Sequence, residues 1–161
     1  MIRLIAALDV KRGLAVDSGI PWTIPADTAH FRDETTSGVI VMGRRTYSEF
    51  AAPLHDRTNF VFDRGPGTLR PGFRTTPSLA DLEAEHPGED IWVIGGAAVY
   101  AATIGQAHEL VLTQVLGDFR CTKFFPPYEH EFTRTQHGAD VRDGDVRYRF
   151  ETWRRSGAAS P

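Results

Sequence analysis

The sequence predicts an α/β fold: a single domain with a mostly parallel central sheet, an antiparallel hairpin at the C-terminal end and about four flanking helices. Three observations predict it. Apolar runs of strand length, without polar alternation, recur at 2–8, 39–42 and 91–94, as in strands covered on both faces. Helical patterns separate these runs, and two of them begin directly after glycine, at Gly43 and at Gly95-Gly96. The closing segment from Val146 to Trp153 alternates polar and apolar side chains, as a half-exposed strand does.

Taken in order, Ile2 to Leu8 reads as a buried strand, and Asp9 to Thr23 as a long loop holding Gly13, Gly19 and Pro21. Pro25 suits the first position of a helix, because the N–H it lacks has no partner there, and the helix runs to Thr35. Val39–Met42 is a strand and Arg44–Phe50 a short helix. Ala51 to Asp56 is a loop, Thr58–Phe62 a strand, Asp63 to Gly67 a turn, and Phe73 to Thr75 a brief strand. Ser78 caps a helix that reaches about His86, with Asp81 in the capping-box position and Pro87-Gly88 as its stop. Ile91 to Ile94, helical Ala97 to Ile104 and strand Glu109–Leu116 repeat the earlier arrangement. Phe132–His137 pairs with the Val146 segment through a loop rich in Gly138, Asp143 and Gly144. Residues 1–155 read as the domain, and 156–161 as a small-residue tail.

At 161 residues, with 41% hydrophobic and 24% charged side chains, the chain has the size and composition of one soluble globule. A net charge of -3 and a pI near 6.0 give no electrostatic footprint for nucleic acid. One cysteine, Cys121, excludes an internal disulfide and fits a reducing compartment. The apolar start is stopped by Asp9, too early for a secretory signal, and no run has membrane-spanning length, so a cytoplasmic monomer is expected. The six histidines are scattered as surface residues, and no metal is expected.

One stretch concentrates the chemistry. Asp27 falls in the first turn of its helix with Phe31 four residues on, so a carboxylate and an aromatic ring share a face. First-turn acids are common because the helix dipole favours them. Here, however, Trp22, Ala26 and Phe31 surround the acid, and no Lys or Arg shares its face, so Asp27 reads as a carboxylate awaiting a ligand. Strands that run through glycine into helices, at Gly43 and at Gly95-Gly96, present free backbone amides at the sheet's carboxyl edge, suited to phosphate, with Arg44 adding charge. Neither GxGxxG nor GxxxxGK[ST] is present.

Pro21-Trp22-x-x-Pro25-x-Asp27 with Phe31, followed by Val41-Met42-Gly43-Arg44-x-Thr46, is specific in combination, and over nearly its whole length the chain resembles the dihydrofolate reductase family. The resemblance implies NADPH-dependent reduction of dihydrofolate to tetrahydrofolate, which serves one-carbon metabolism and makes such enzymes antifolate targets. It implies Asp27, Trp22, Thr113 and Tyr100 as catalytic residues. Substrate would meet Ile5, Ala6, Phe31, Phe50, Leu54, Ile94 and Arg57, with Arg57 gripping the carboxylate of the glutamate tail. Cofactor would meet Ala7, Leu14, Ile20, Gly43, Arg44, Arg45, Thr46, Phe62, Asp63 and Arg64, then Gly95 through Tyr100: Gly95, Gly96, Ala97, Ala98, Val99 and Tyr100.

Four positions depart from the family pattern. Ala15 stands where relatives carry glycine, and Ala98 where they often carry arginine. Asp63 replaces a common hydroxyl and would repel a 2′-phosphate, so NADH tolerance is expected beside NADPH use. Thr122 of Cys121-Thr122-Lys123-Phe124-Phe125-Pro126 leaves the loop over the site without its usual charge, which points to altered loop kinetics. Two rival readings are a pyrimidine-reducing enzyme of riboflavin synthesis, which would not need Asp27, Phe31 and Arg57 together, and a non-catalytic pteridine or nucleotide binding module.

Overall fold

The computed structural model describes residues 1–63, 65 and 69–157. In chain order its elements are β1 (Ile2–Leu8), β2 (Gly13–Ala15), α1 (Pro25–Thr35), β3 (Val39–Met42), α2 (Arg44–Ser48), β4 (Thr58–Phe62), β5 (Phe73–Thr76), α3 (Leu79–Glu85), β6 (Ile91–Val93), α4 (Ala97–Thr103), β7 (Glu109–Leu116), β8 (Lys123–Phe124), β9 (Phe132–His137), β10 (Val141–Asp143) and β11 (Val146–Arg155).

Six strands lie parallel in the order β7-β1-β6-β3-β4-β5. Their unbroken apolar sequences have a direct cause: both faces are covered. In β1, Leu4 pairs with Val93 on one side and Leu110 on the other, and all three are fully buried. Each such side chain contributes roughly 1.5–3 kcal/mol of burial. β11 runs antiparallel to β7 over eight residue pairs and carries β10 and β9 on its outer edge. Phe150 of β11 lies opposite Thr113 of β7.

Local chemistry sets the helix ends. Pro25 holds Ile24 in an extended conformation and opens α1 without a side-chain cap. Ser78 Oγ accepts from the Asp81 amide at 3.1 Å, the predicted half of a capping box. α2 stops two residues before the predicted Phe50. Its last amides, Glu49 and Phe50, tighten onto the carbonyls of Thr46 and Tyr47, and Arg70 Nη2 takes the Tyr47 and Phe50 carbonyls at 2.7 and 2.5 Å.

Three expectations need correction. The segment 9–23 is not irregular throughout, because β2 pairs antiparallel with β8 across more than a hundred residues of sequence. Phe132–His137 does pair with the last strand, but the connection is not one loop. Asp143 belongs to β10, which forms its own tight hairpin with β11 at Gly144. The histidines are not all on the surface, since His30 and His86 are half-buried. Arg64 and the predicted turn through Gly67 lie largely outside the described residues, as does the end of the tail from 158 onward.

Candidate active site

The site gathers where β1, β3, β6 and β7 meet α1. Asp27, in the first turn of α1, reaches back to the sheet, and Thr113 Oγ1 donates to its Oδ1 at 2.5 Å. Among the described residues, no cation pairs with Asp27 and no group hydrogen-bonds its second oxygen. Burial pushes its carboxyl above the usual range; the Thr113 hydrogen bond and the charge of a protonated His30 oppose that rise. The carboxylate is thus held in place by a neutral donor, with one oxygen left for a ligand.

Beside it, Ile5 belongs to a buried cluster with Ile40, Met42, Trp92 and Val111, against which Phe31, Phe50, Leu54 and Ile94 pack as half-buried side chains. Five of the predicted substrate contacts therefore form one apolar wall. Ala6 packs against the neighbouring cluster. Arg57 stands at the end of this wall. Its Nε donates to the His55 carbonyl at 2.8 Å and its Nη1 to Thr35 Oγ1 at 3.0 Å, which orients the guanidinium while leaving other donors open. Partial burial, the largest influence, moves the Arg57 pKa down from its ordinary value. Nothing in the chain's pattern pointed to Asn59, a buried strand residue that holds this loop. It accepts from the Leu54 amide and donates to the Leu54 and Arg57 carbonyls, all at 3.0–3.1 Å.

The two glycine turns meet at the carboxyl edge. The Gly43 amide donates to the Gly95 carbonyl at 2.9 Å, so α2 and α4 begin side by side. A Cβ on Gly43 would lie 2.7 Å from Val99 Cγ2, and one on Gly95 would face the Tyr100 hydroxyl and Thr46 Oγ1 at 3.4 and 3.5 Å. The backbone is bare where a long ligand could lie close, with Thr46, Ala97 and Ala98 around it. The buried Tyr100 hydroxyl donates to the Ile5 carbonyl at 2.6 Å, and burial moves its pKa well above the usual value, so it stays neutral. Arg44 pairs with Asp63, whose Oδ1 also accepts from the Gly65 amide. Asp63 is therefore partly neutralised instead of free to repel an anion, and Arg44 is already engaged. Arg45 is exposed, and Phe62 and Val99 pack against the main core.

The loop after β1 borders both regions. Ala15 is extended within β2 and does not adopt the positive φ that a glycine would serve. The Thr122 amide donates to the Ala15 carbonyl at 2.9 Å, and its hydroxyl to Asp17 at 3.3 Å, so the pinning charge comes from position 17. Leu14 packs on the main core and Ala7 on a smaller cluster with Trp22, Ile24, Val115 and Tyr148. Trp22 meets Phe119 edge-on at 5.1 Å. Ile20, a predicted cofactor contact, is 66% exposed. Burial first, then nearby Asp9, pushes the Cys121 thiol up to about 11, which disfavours the thiolate. The sequence reading missed Asp9, a buried carboxylate that accepts from the amides of Lys11, Gly13 and Phe119 at 2.7–3.0 Å and so anchors the loop. An acid directly ahead of a glycine-bearing turn was its one signal.

A separate groove is lined by Gln114, Tyr128, Arg134, Arg149 and Trp153. The Glu151 carboxylate there is taken up by Arg149 at 2.6 Å and the Trp153 indole at 2.9 Å.

A parallel sheet whose carboxyl edge joins a carboxylate-bearing apolar wall to paired glycine turns is an α/β architecture of the kind that binds ligands at that edge. The comparisons make this particular. A family model for dihydrofolate reductase matches residues 1–155. The chain is 37% identical over 148 residues to dihydrofolate reductase type 3 of Salmonella typhimurium, covering 89% of this chain and 91% of that one. It is 33% identical over 130 residues to the dihydrofolate reductase of Bacillus subtilis strain 168, covering 80% and 77%. The fold is that of an Enterococcus faecalis dihydrofolate reductase solved as a complex with NADP(H) and RAB-propyl, with a TM-score of 0.86, 23% identity and coverage of 97% and 96%.

The chain belongs to the dihydrofolate reductase family. Its activity is the one that defines the family, NADPH-dependent reduction of dihydrofolate to tetrahydrofolate.

Proposed function

We propose that Asp27 is the anchor and charge source of that reaction in this chain. The observation that carries the reading is a half-buried carboxylate that, among the described residues, has no cationic partner and is held by Thr113, beside the Ile5, Phe31, Phe50, Leu54 and Ile94 wall. Its free oxygen and its bonded one can together accept from a ring N–H and the adjacent amino group of a 2-amino-4-oxo pteridine, which fixes the heterocycle's orientation. The same negative charge favours protonation of the bound ring, with water assigned as the immediate proton donor.

Bound NADPH supplies the hydride. The residues proposed to receive it are those around the two glycine turns, with Gly43, Gly95 and Gly96 allowing close approach, Thr46 and the Ala97 and Ala98 amides as donors, and Arg44 nearest the adenosine end. Arg57 is proposed to bind the α-carboxylate of the glutamate tail. Trp22 and the Asp9-anchored loop shield the cleft from water, which strengthens every charge interaction inside it. Residues 1–155 form the reductase domain in this reading, and the protein works as a cytoplasmic monomer without nucleic acid. Among the described residues, no helix is long and apolar enough to cross a membrane.

Mixing the protein with NADPH and dihydrofolate, and separately with NADPH and a ribosylated aminopyrimidine, tests the reading. Loss of nicotinamide absorbance with dihydrofolate alone supports it. Loss only with the pyrimidine favours the riboflavin-type reductase, and loss with neither favours a binding module.

A further inference from the structure

His30 is assigned no part in gripping substrate or cofactor, yet it stands one helical turn from Asp27. Positions 27, 30, 31 and 34 share one face of α1. The His30 ring lies on Phe150 with centroids 4.1 Å apart and 27° between planes. Phe150 is the register partner of Thr113, the residue that holds Asp27. His30 Nδ1 is 4.0 Å from the Glu34 carboxylate, and Nε2 is buried with no hydrogen-bond partner among the described residues. An orphaned buried nitrogen costs stability. A phenyl ring would stack on Phe150 without that cost, so packing does not account for an imidazole here.

We propose that His30 is a positioning residue for the reaction: an imidazole stacked on Phe150 one helical turn from Asp27, whose charge tunes how firmly Asp27 grips the heterocycle of dihydrofolate. This rests on Asp27 being the anchor. Imidazoles ordinarily change charge between about pH 5 and 8. The charged groups facing His30 from its own helix are Asp27 and Glu34, both acidic; Arg32 pairs instead with Asp33. From β7 comes the neutral Thr113 hydroxyl. From β11 comes the Phe150 ring, with Tyr148 edge-on to it at 5.5 Å. When His30 carries its proton, its charge favours the Asp27 carboxylate against the burial that disfavours it. The grip persists further into acid than burial alone would permit.

Dissociation constants for dihydrofolate, read by tryptophan fluorescence quenching from about pH 5 to about pH 8, test this on the full chain and on His30→Phe, Glu34→Gln and Asp27→Asn. His30→Phe keeps ring on ring and removes the charge. Its constant relative to the unsubstituted chain should grow as pH falls, by roughly three- to tenfold across the range. Glu34→Gln, at an exposed position, should shift the same way by less. A ratio for His30→Phe that is constant with pH, as lost packing alone would give, overturns the proposal. If Asp27→Asn binds dihydrofolate as tightly as the unsubstituted chain, the anchor reading falls and this inference with it. If Asp27→Asn weakens binding while the His30→Phe ratio stays flat, the His30 role alone is wrong.

Discussion

Thr113 and Phe150 sit opposite each other on β7 and β11, and each receives a side chain from successive turns of α1: Asp27 on the hydroxyl, His30 on the ring. The strand pair therefore sets the position of the carboxylate, and that carboxylate is kept at a cost. Its folded-state pKa is raised mainly by burial. For an acid raised in this way, stability is greatest below the unfolded value of about pH 4 and declines as pH rises through the folded value. Asp27→Asn removes the decline while still accepting from Thr113. Calorimetric melting should show Tm higher by about 2–4 °C at neutral pH, with the gain fading toward about pH 4.

Arg57 is aimed by Thr35 and by the His55 carbonyl, and a planar fork meets a carboxylate in a way that an ammonium cannot. Arg57→Lys should weaken dihydrofolate binding about tenfold and leave the KM for NADPH within about twofold. Steady-state titration of each substrate at saturating levels of the other checks this.

Gly43 has no room for a methyl group beside Val99. Gly43→Ala should raise the NADPH KM and lower Tm, and the double variant with Val99→Ala should recover most of the Tm. Melting curves for the single and double variants measure that coupling directly.

The ion pair of Arg44 with Asp63 engages a cation proposed to lie toward the adenosine end. Freeing it by Asp63→Asn should lower the KM for NADPH by roughly three- to tenfold and leave that for NADH nearly unchanged, since only NADPH carries the additional phosphate dianion. The ratio of the two constants before and after substitution is the readout.

The parallel strands were legible because burial on both faces leaves unbroken runs such as Val39–Met42 and Ile91–Val93, and the glycine turns because bare backbone requires glycine. The features missed come from pairings distant in sequence. β2 finds β8, and His30 finds Phe150, across more than a hundred residues, and no local pattern records either contact. Asn59 and Asp9 were missed for another reason. Each is a polar side chain buried to satisfy backbone groups of a loop, and their partners are defined only once the loops are folded. Asp27 was legible through the lack of any nearby cation on its helix face; Thr113 entered only through the family resemblance, and its bond to Asp27 is seen in the fold.

The central claim is that the Asp27 carboxylate drives turnover. The most direct test is the rate of NADPH oxidation with saturating dihydrofolate at neutral pH, compared between the unsubstituted chain and Asp27→Asn. A fall of about a hundredfold or more in kcat is the predicted result, and an Asp27→Asn enzyme that turns over at an unchanged rate would contradict it.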